Sequence, residues 1–159
     1  MSIERVRAYL ERFGVADRIR ELDQSSATVE LAARALGVEP ARIAKTLSFM
    51  VGETPTLVVL AGDARADNKR FKAVFHTKAK MLSHDDAARL VGHAVGGVCP
   101  FAVNDGVAVY LDESLRRFET VFPAAGSSNS AIELTVPELE EFSRALGWVD
   151  VGKGWRAGE

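Results

Sequence analysis

Apolar residues recur along the chain at two spacings, one typical of helices and the other of strands. In the first segment Ile3, Val6 and Leu10 repeat every three to four residues, with Ser2 placed to cap the helix start. The same pattern, with residues such as Thr28 in the capping position, predicts further helices. These segments are 28–37, a short helix beginning at Pro40, 67–76, 83–92 and 137–146.

Short apolar runs bounded by turn residues predict the strands. These runs are "TLSFMV" (46–51), "TLVVLAG" (56–62), "VAVYLD" (107–112), "ETVF" (119–122), "AIELTV" (131–136) and a last strand near "WVDV". Gly52 and Pro55 mark a hairpin turn between the first two. Strands that follow helices and include hairpins favour a mixed sheet in an α+β domain over a doubly wound parallel sheet.

Composition narrows the class of protein. The 159 residues are 47% hydrophobic, which is enough for one sizeable core, so we expect a single domain over 1–159. A net charge of −2 leaves any nucleic-acid contact to a local patch. The first residues lack the apolar run of a signal peptide, and no segment approaches membrane-spanning length. We therefore expect a cytoplasmic protein with no membrane or DNA partner.

Few side chains suggest metal or nucleophile chemistry. His76, His84 and His93 show no zinc-type spacing with one another or with Cys99, and there is no Walker loop. We expect neither a metal nor another cofactor. Cys99 lies among apolar residues without a partner that would activate it, so a small buried residue is favoured over a nucleophile.

Two loops of small residues and one lysine are candidates for a binding site. Gly96 and Gly97 can bring main-chain N–H groups close to a carbonyl or an oxyanion, although a plain tight turn explains them equally. The segment "PAAGSSNS" (123–130) is either a second such loop or a hairpin turn. Lys45 either presents its ammonium to an anion or reaches the surface, and spacing alone favours the surface.

Four motifs together resemble one known family. They are "ALGVEPARIAKTLSF", "VGGVCPF", "VYLDESL" and "AAGSSNSAIELTVPEL", in this order. Their residues, order and separations resemble those of the YbaK/EbsC family, also called the YbaK/prolyl-tRNA-synthetase-associated domain. The resemblance covers about residues 28–151. The resemblance implies an α+β domain with a partly barrel-like sheet surrounded by helices. It also implies a free-standing editing enzyme that hydrolyses the ester of a mischarged, small amino acid on proline tRNA or a related tRNA.

The resemblance also implies roles for particular residues. The signature lysine falls on Lys45, which would hold the terminal phosphate or ribose, and Gly97 would lie against the aminoacyl carbonyl. The remaining residues implied to bind substrate are Thr28, Gly96, Val98, Cys99, Pro100, Ala124, Ala125 and Gly126.

The chain departs from cysteine-specific family members at two positions. It has Ala124 where they resemble one another in having serine, and Ala131 where they tend to carry aspartate. These differences argue against cysteine on proline tRNA as the substrate. Relatives with serine at the position of Cys99 weaken a covalent role for its thiol.

A basic segment is the expected contact for tRNA. It contains Lys69, Arg70, Lys72, Lys78 and Lys80, and an ordinary solvated helix face is the alternative interpretation. The expected partners are aminoacyl-tRNA and an aminoacyl-tRNA synthetase. The alternative function is a non-catalytic module that binds tRNA or a synthetase.

Overall fold

The computed structural model describes residues 2–94 and 96–159, and it contains five α-helices within them. They are α1 (Ser2–Glu11), α2 (Val29–Leu36), α3 (Asn68–Phe75), α4 (His84–Asp86) and α5 (Val136–Phe142). The strands are β1 (Arg20–Glu21), β2 (Ile43–Val51), β3 (Thr54–Ala61), β4 (Arg65–Ala66), β5 (Ala108–Asp112), β6 (Thr120–Pro123), β7 (Ser130–Ala131), β8 (Leu134–Thr135), β9 (Gly147–Val149) and β10 (Gly152–Lys153).

Six strands form the main sheet, in the order β8-β6-β2-β3-β5-β9. The β2–β3 and β6–β8 pairs are antiparallel, whereas β2–β6, β3–β5 and β5–β9 are parallel. Two short antiparallel ribbons, β1–β7 and β4–β10, accompany this sheet. The predicted α+β class with a mixed, half-barrel sheet is confirmed.

Strand β3 forms the centre of the core because both of its faces are covered. Val59 and Ala61 pack in the cluster that holds the apolar residues of α1 and α5. Val58 and Leu60 point to the opposite face, where they pack in the cluster that contains Phe71 of α3. Because successive side chains of β3 point to opposite faces of the sheet, this one strand packs against helices on both sides.

Capping residues define the predicted helix ends. The Thr28 side chain accepts a hydrogen bond from the N–H of Leu31 at 3.2 Å, and Gly37 ends α2 in the left-handed conformation. Asp67 and Ser83 cap α3 and α4 in the same way. Within the described residues, no helix has the length and apolar content needed to cross a bilayer.

Several predicted boundaries are wrong. Strand β2 begins at Ile43, three residues early, so Lys45 lies inside a strand and not at a junction. The predicted strand 131–136 is divided between β7, which pairs with β1, and β8, which pairs with β6. Helix α5 ends at Phe142, and Arg144 just beyond it has a left-handed backbone with φ of 54°.

Candidate functional site

A cavity of about 480 Å³ lies between the first half of β2, the start of α2 and the two loops of small residues. The residues implied by the resemblance that line it are Thr28, Lys45, Gly96, Val98 and Ala124. The implied residues that do not line it are Gly97, Cys99, Pro100, Ala125 and Gly126. The five implied residues that line it come from four separate stretches of sequence.

Lys45 is half-buried in the cavity wall, paired through its main chain with Leu60 of β3. Burial lowers the pKa of its ammonium group from 10.5, and the carboxylates of Asp63 and Glu30 oppose this shift. Within the described residues, its side chain makes no hydrogen bond or ion pair. A partly desolvated, unpaired ammonium is suited to bind an anionic or carbonyl oxygen. The expectation from spacing alone, that Lys45 reaches the surface, is therefore wrong.

The two adjacent glycines have different surroundings. Gly96 lines the cavity and has a φ of 85°, a conformation that favours glycine. Gly97 is buried, and its N–H donates to the carbonyl of Ala94 at 3.0 Å. Gly97 therefore forms a turn and packs against the second loop, and its N–H is not available in this structure for a substrate carbonyl.

Two other main-chain donors are available at this wall. The N–H groups of Gly96 and Val98 donate to no acceptor in the part of the chain that the structure describes. Both residues line the cavity, whereas Gly97 between them does not. Unpaired main-chain N–H groups therefore lie on both neighbours of Gly97, and their contact with a substrate stays a prediction.

The second loop contributes one of its three implied residues to the cavity. Ala124 lines it and forms an antiparallel bridge with Ala131, which also lines it. Ala125 is fully buried in the core under α1. Gly126 has a φ of 100°, and a Cβ there would lie 2.7 Å from the carbonyl oxygen of Ser2, so this glycine lets α1 approach the loop.

Cys99 is fully buried behind the cavity wall. Its Sγ lies 3.6 Å from Nε2 of His93 and 3.8 Å from the carbonyl oxygen of Phe101. Burial raises the pKa of the Cys99 thiol to about 12, and burial lowers the pKa of His93. The pair therefore favours a neutral thiol beside a neutral imidazole, and the expected small buried cysteine is found. Pro100 lines a different cavity.

Sequence reasoning missed several polar residues in the cavity wall. Thr46 and Ser48 follow Lys45 in β2, and Ser130 comes from β7. The hydroxyl oxygen of Thr46 is buried and has no hydrogen-bond partner in the structure described here. The signal was present in "AKTLSF", where two hydroxyl residues interrupt an apolar strand.

The basic segment is divided by the structure. Lys69 and Lys72 are exposed one turn apart on α3. Arg70 between them donates to the carbonyl of Gly152 at 2.7 Å and pairs with Glu159. Its guanidinium contacts the C-terminal residues, which gives Arg70 a structural role, and its contact with tRNA stays a prediction.

The other two lysines of this segment precede a residue of the cavity wall in the sequence. Lys78 and Lys80 are exposed, and the carbonyl of Lys80 accepts the N–H of Met50 in β2 at 2.9 Å. Met81, the next residue, lines the cavity. Lys80 is therefore adjacent in sequence to the wall of the candidate site.

No metal-binding cluster is present in 2–94 and 96–159: these residues contain no group of three or more histidine, cysteine or carboxylate side chains placed to hold an ion. The cavity lining has one lysine, one histidine (His84), hydroxyl groups and apolar residues. Its chemistry is that of an apolar pocket with one strong cation and main-chain donors.

Known proteins share this sequence and fold. The chain is 50% identical over 156 residues to YwhH of Bacillus subtilis, an uncharacterised protein, covering 98% of this chain and 99% of YwhH. It is 31% identical over 109 residues, 67% of this chain and 66% of the relative, to EbsC of Enterococcus faecalis, named as a proposed Cys-tRNA(Pro)/Cys-tRNA(Cys) deacylase. A segment of the proline–tRNA ligase of Streptococcus equi, 17% of that enzyme, is 27% identical to 68% of this chain.

A solved structure agrees with these relationships. The crystal structure of a proposed trans-editing enzyme for prolyl-tRNA synthetase superimposes with a TM-score of 0.86 at 29% identity, covering 96% of this chain and 98% of the other. A sequence model of the aminoacyl-tRNA editing domain matches residues 23–142. The chain belongs to the aminoacyl-tRNA editing domain family, the YbaK/EbsC-like family that its motifs indicated.

Proposed function

We propose that this chain is a trans-editing aminoacyl-tRNA deacylase. It hydrolyses the ester between a small non-cognate amino acid and the terminal ribose of a tRNA, either proline tRNA or a related one. The ammonium of Lys45 in the cavity wall carries the proposal, because no described residue makes a hydrogen bond or a direct ion pair with it. Family membership supports the same substrate class, and a tRNA substrate fits the cytoplasmic location expected from the sequence.

The reaction uses water and not a protein nucleophile. The cavity lining contains no cysteine or carboxylate among the described residues, and Cys99 lies behind it. In the same described part of the chain, the serine and threonine hydroxyl groups of the lining make no hydrogen bond to Lys45 or His84 that would activate them. A water oxygen attacks the ester carbonyl, the bond to the ribose oxygen breaks, and the proton lost by water passes to that ribose oxygen. The neighbouring ribose hydroxyl and the substrate amino group are close enough to assist.

The protein stabilises the charge that develops on the carbonyl oxygen. The N–H groups of Gly96 and Val98 are the donors we assign to this oxygen, since neither has a main-chain acceptor in the described chain. Lys45 holds the terminal phosphate or ribose and so fixes the ester beside these donors. Gly97 acts indirectly, by holding the loop in place.

Selection among amino acids depends on the size and polarity of the pocket. Ala124 and Ala131 form a bridged apolar wall, and Ile43 and Phe122 extend it. Such a wall favours a small apolar side chain over cysteine. Pocket size discriminates by only about 1–3 kcal/mol per methylene, so neighbouring small amino acids are hydrolysed as well.

A synthetase is the expected source of further tRNA selectivity. The similarity to a segment of a proline–tRNA ligase supports this partner, because there a related domain belongs to the synthetase chain. Addition of prolyl-tRNA synthetase to the assay tests whether release becomes selective for proline tRNA.

A panel of mischarged tRNAs tests the proposal. Alanine, serine, cysteine and the cognate proline are each esterified to proline tRNA, and amino-acid release is followed with the wild type. Alanine is expected to be released fastest and proline to be spared. Lys45→Ala removes most of the release, while Lys153→Ala, which breaks a 3.5 Å contact with Asp67 at the surface, does not. Binding of the tRNA without any release favours the non-catalytic module.

A further inference from the structure

A second cavity, about 560 Å³, is lined in part by residues that follow Val98 in the loop of the candidate site. It is lined by α1, the turn after Phe101 and the residues that follow α5. We call it the arginine cleft, because its charged residues are Arg5, Arg12, Arg144 and one carboxylate, Asp105. It therefore has a formal charge of +2 in a chain whose net charge is −2.

Two of these arginines have no carboxylate partner in the described chain. Arg12 and Arg144 both lie over the ring of Tyr9, at 5.7 and 5.6 Å from its centre. The Tyr9 hydroxyl donates to the carbonyl of Phe142 at 2.6 Å and so fixes the ring that both guanidinium groups contact. Like charges held close together without an anion repel each other, and a bound anion relieves this repulsion.

Most other arginines of the described chain form ion pairs with carboxylates, unlike Arg12 and Arg144. The arginines that form ion pairs are Arg7, Arg18, Arg42, Arg70, Arg89, Arg116, Arg117 and Arg156. Arg5 is used differently again: it donates to the carbonyl of Ala102 at 2.8 Å and to that of Gly92 at 3.3 Å, which ties α1 to the site loop. Arg12 and Arg144 are thus the cleft arginines whose charge no carboxylate or backbone carbonyl of the described chain meets, and their contacts there are with Tyr9.

The backbone at Arg144 supports a role for its side chain. Its φ of 54° lies in the left-handed region, where glycine is the favoured residue after a helix. Its N–H donates to the carbonyl of Glu141 at 3.2 Å, so the conformation is held by the helix end. An arginine at this position accepts backbone strain and places a cation in the cleft.

The arginine cleft and the candidate site share one wall. Val98 lines the first cavity and Pro100 lines the second, and two residues of chain span at most about 7 Å. A single-stranded RNA carries one negative charge per nucleotide, so a strand that ends in the first cavity and continues around this loop brings further phosphates to the cleft.

We propose that the arginine cleft binds backbone phosphates of the single-stranded RNA end whose terminal nucleotide occupies the candidate site. This inference rests on the proposed function for the position of that nucleotide. The cleft presents guanidinium groups and one aromatic ring, which is the chemistry of phosphate binding. By this proposal, most of the contacts with RNA come from α1 and the end of α5, and not from the lysines of α3.

Binding of an uncharged RNA hairpin with a single-stranded CCA end tests the inference without any hydrolysis. Fluorescence anisotropy at several salt concentrations gives the affinity and its salt dependence for Arg12→Gln, Arg144→Gly and the double variant. Arg7→Gln is the matched control, since Arg7 is a helix α1 arginine paired with Glu21 outside the cleft. Each cleft variant is expected to lower the slope of log K against log salt by about 1, and the control to leave it unchanged.

Arg144→Gly also separates binding from folding. Glycine relieves the left-handed backbone, so the melting temperature is expected to stay equal or to rise while RNA affinity falls. Unchanged affinity and salt slope in the double variant overturn the inference, as does a slope that responds only to Lys69→Gln and Lys72→Gln. If the proposed function fails, the panel of mischarged tRNAs shows no release while these RNA-binding effects persist.

Discussion

Gly97 packs directly against Gly126: a Cβ atom on Gly97 would lie 2.8 Å from the carbonyl carbon of Gly126 and equally close to the main chain of Ser127. The two loops therefore contact each other through main-chain atoms, with no side chain between them. One loop carries Gly96 and Val98 and the other carries Ala124, so this contact sets the distance between two walls of the cavity.

Gly97→Ala is expected to lower both stability and activity. The added methyl group forces the loops apart, which costs about 1–3 kcal/mol of unfolding free energy. A displacement of about 1 Å at the cavity wall lowers the rate by on the order of a hundredfold. Thermal unfolding and amino-acid release are measured on the same preparation.

Gly147→Ala is the control for this prediction. Gly147 has an ordinary φ, and a Cβ there would meet nothing within 4 Å. Gly147→Ala should therefore change neither the stability nor the rate of amino-acid release by much. A Gly97→Ala variant as stable and as active as Gly147→Ala would show that the loops do not depend on their backbone contact.

Cys99 is expected to be inert in the folded protein. Its thiol is fully buried and has its pKa raised to about 12, so little thiolate is present at neutral pH. Iodoacetamide should label it only after unfolding, as mass spectrometry can show. Cys99→Ala should lose about 1–2 kcal/mol of stability and keep its turnover. A folded Cys99→Ala variant without activity would restore a covalent mechanism.

Asp112 explains why the "VYLDESL" motif is structural. Its buried carboxylate accepts N–H groups from Ser114 at 3.0 Å, Val151 at 2.8 Å and Gly152 at 3.1 Å. The Ser114 hydroxyl oxygen in turn accepts the N–H of Ala61 at 3.0 Å. The motif thus joins the end of β3 to the C-terminal strands.

Asp112→Ala should be strongly destabilising, because it leaves three buried N–H groups without an acceptor. Each such group costs about 1–3 kcal/mol, and Asp112→Asn, which keeps one carbonyl oxygen, should lose less. Urea unfolding of both variants measures the difference. Equal stability of Asp112→Ala and the wild type would contradict this network.

His93 is expected to make the fold sensitive to mild acid. Burial lowers its pKa in the folded protein below the ordinary 6.5, so the unfolded chain binds more protons between these two values. The contribution of His93 to stability is therefore constant above about pH 6.5 and falls as the pH drops below it. His93→Gln should flatten this dependence between about pH 6.5 and 5, above the range where carboxylates titrate. An unchanged pH profile of the melting temperature in that variant would refute the assignment.

The sequence predicted the elements whose signals are local. Thr28 and Gly37 mark the ends of α2, and the apolar run 56–61 became the buried central strand. It failed at 131–136, where β7 and β8 pair with different partners, because pairing depends on distant parts of the chain. Order along the sequence does not show which strand will be the neighbour.

The sequence indicated which segments line the cavity better than it indicated which residues of each segment do so. Lys45, Gly96 and Ala124 line the cavity, and their sequence neighbours Gly97 and Ala125 lie behind it. Adjacent residues of a loop point in different directions, and only the packing of the two loops decides which ones face the cavity. The arginine cleft had no sequence signal, since Arg12 and Arg144 are brought together by α1 and the end of α5.

The most direct test of the proposed chemistry is single-turnover release of alanine from mischarged proline tRNA by Lys45→Met. The account predicts a fall in rate on the order of a hundredfold. It also predicts an equal or higher melting temperature, because an apolar side chain replaces a partly desolvated charge. Lys153→Met, at the exposed C-terminal ribbon, should match the wild type in both measurements. Release by Lys45→Met at the wild-type rate would contradict the account.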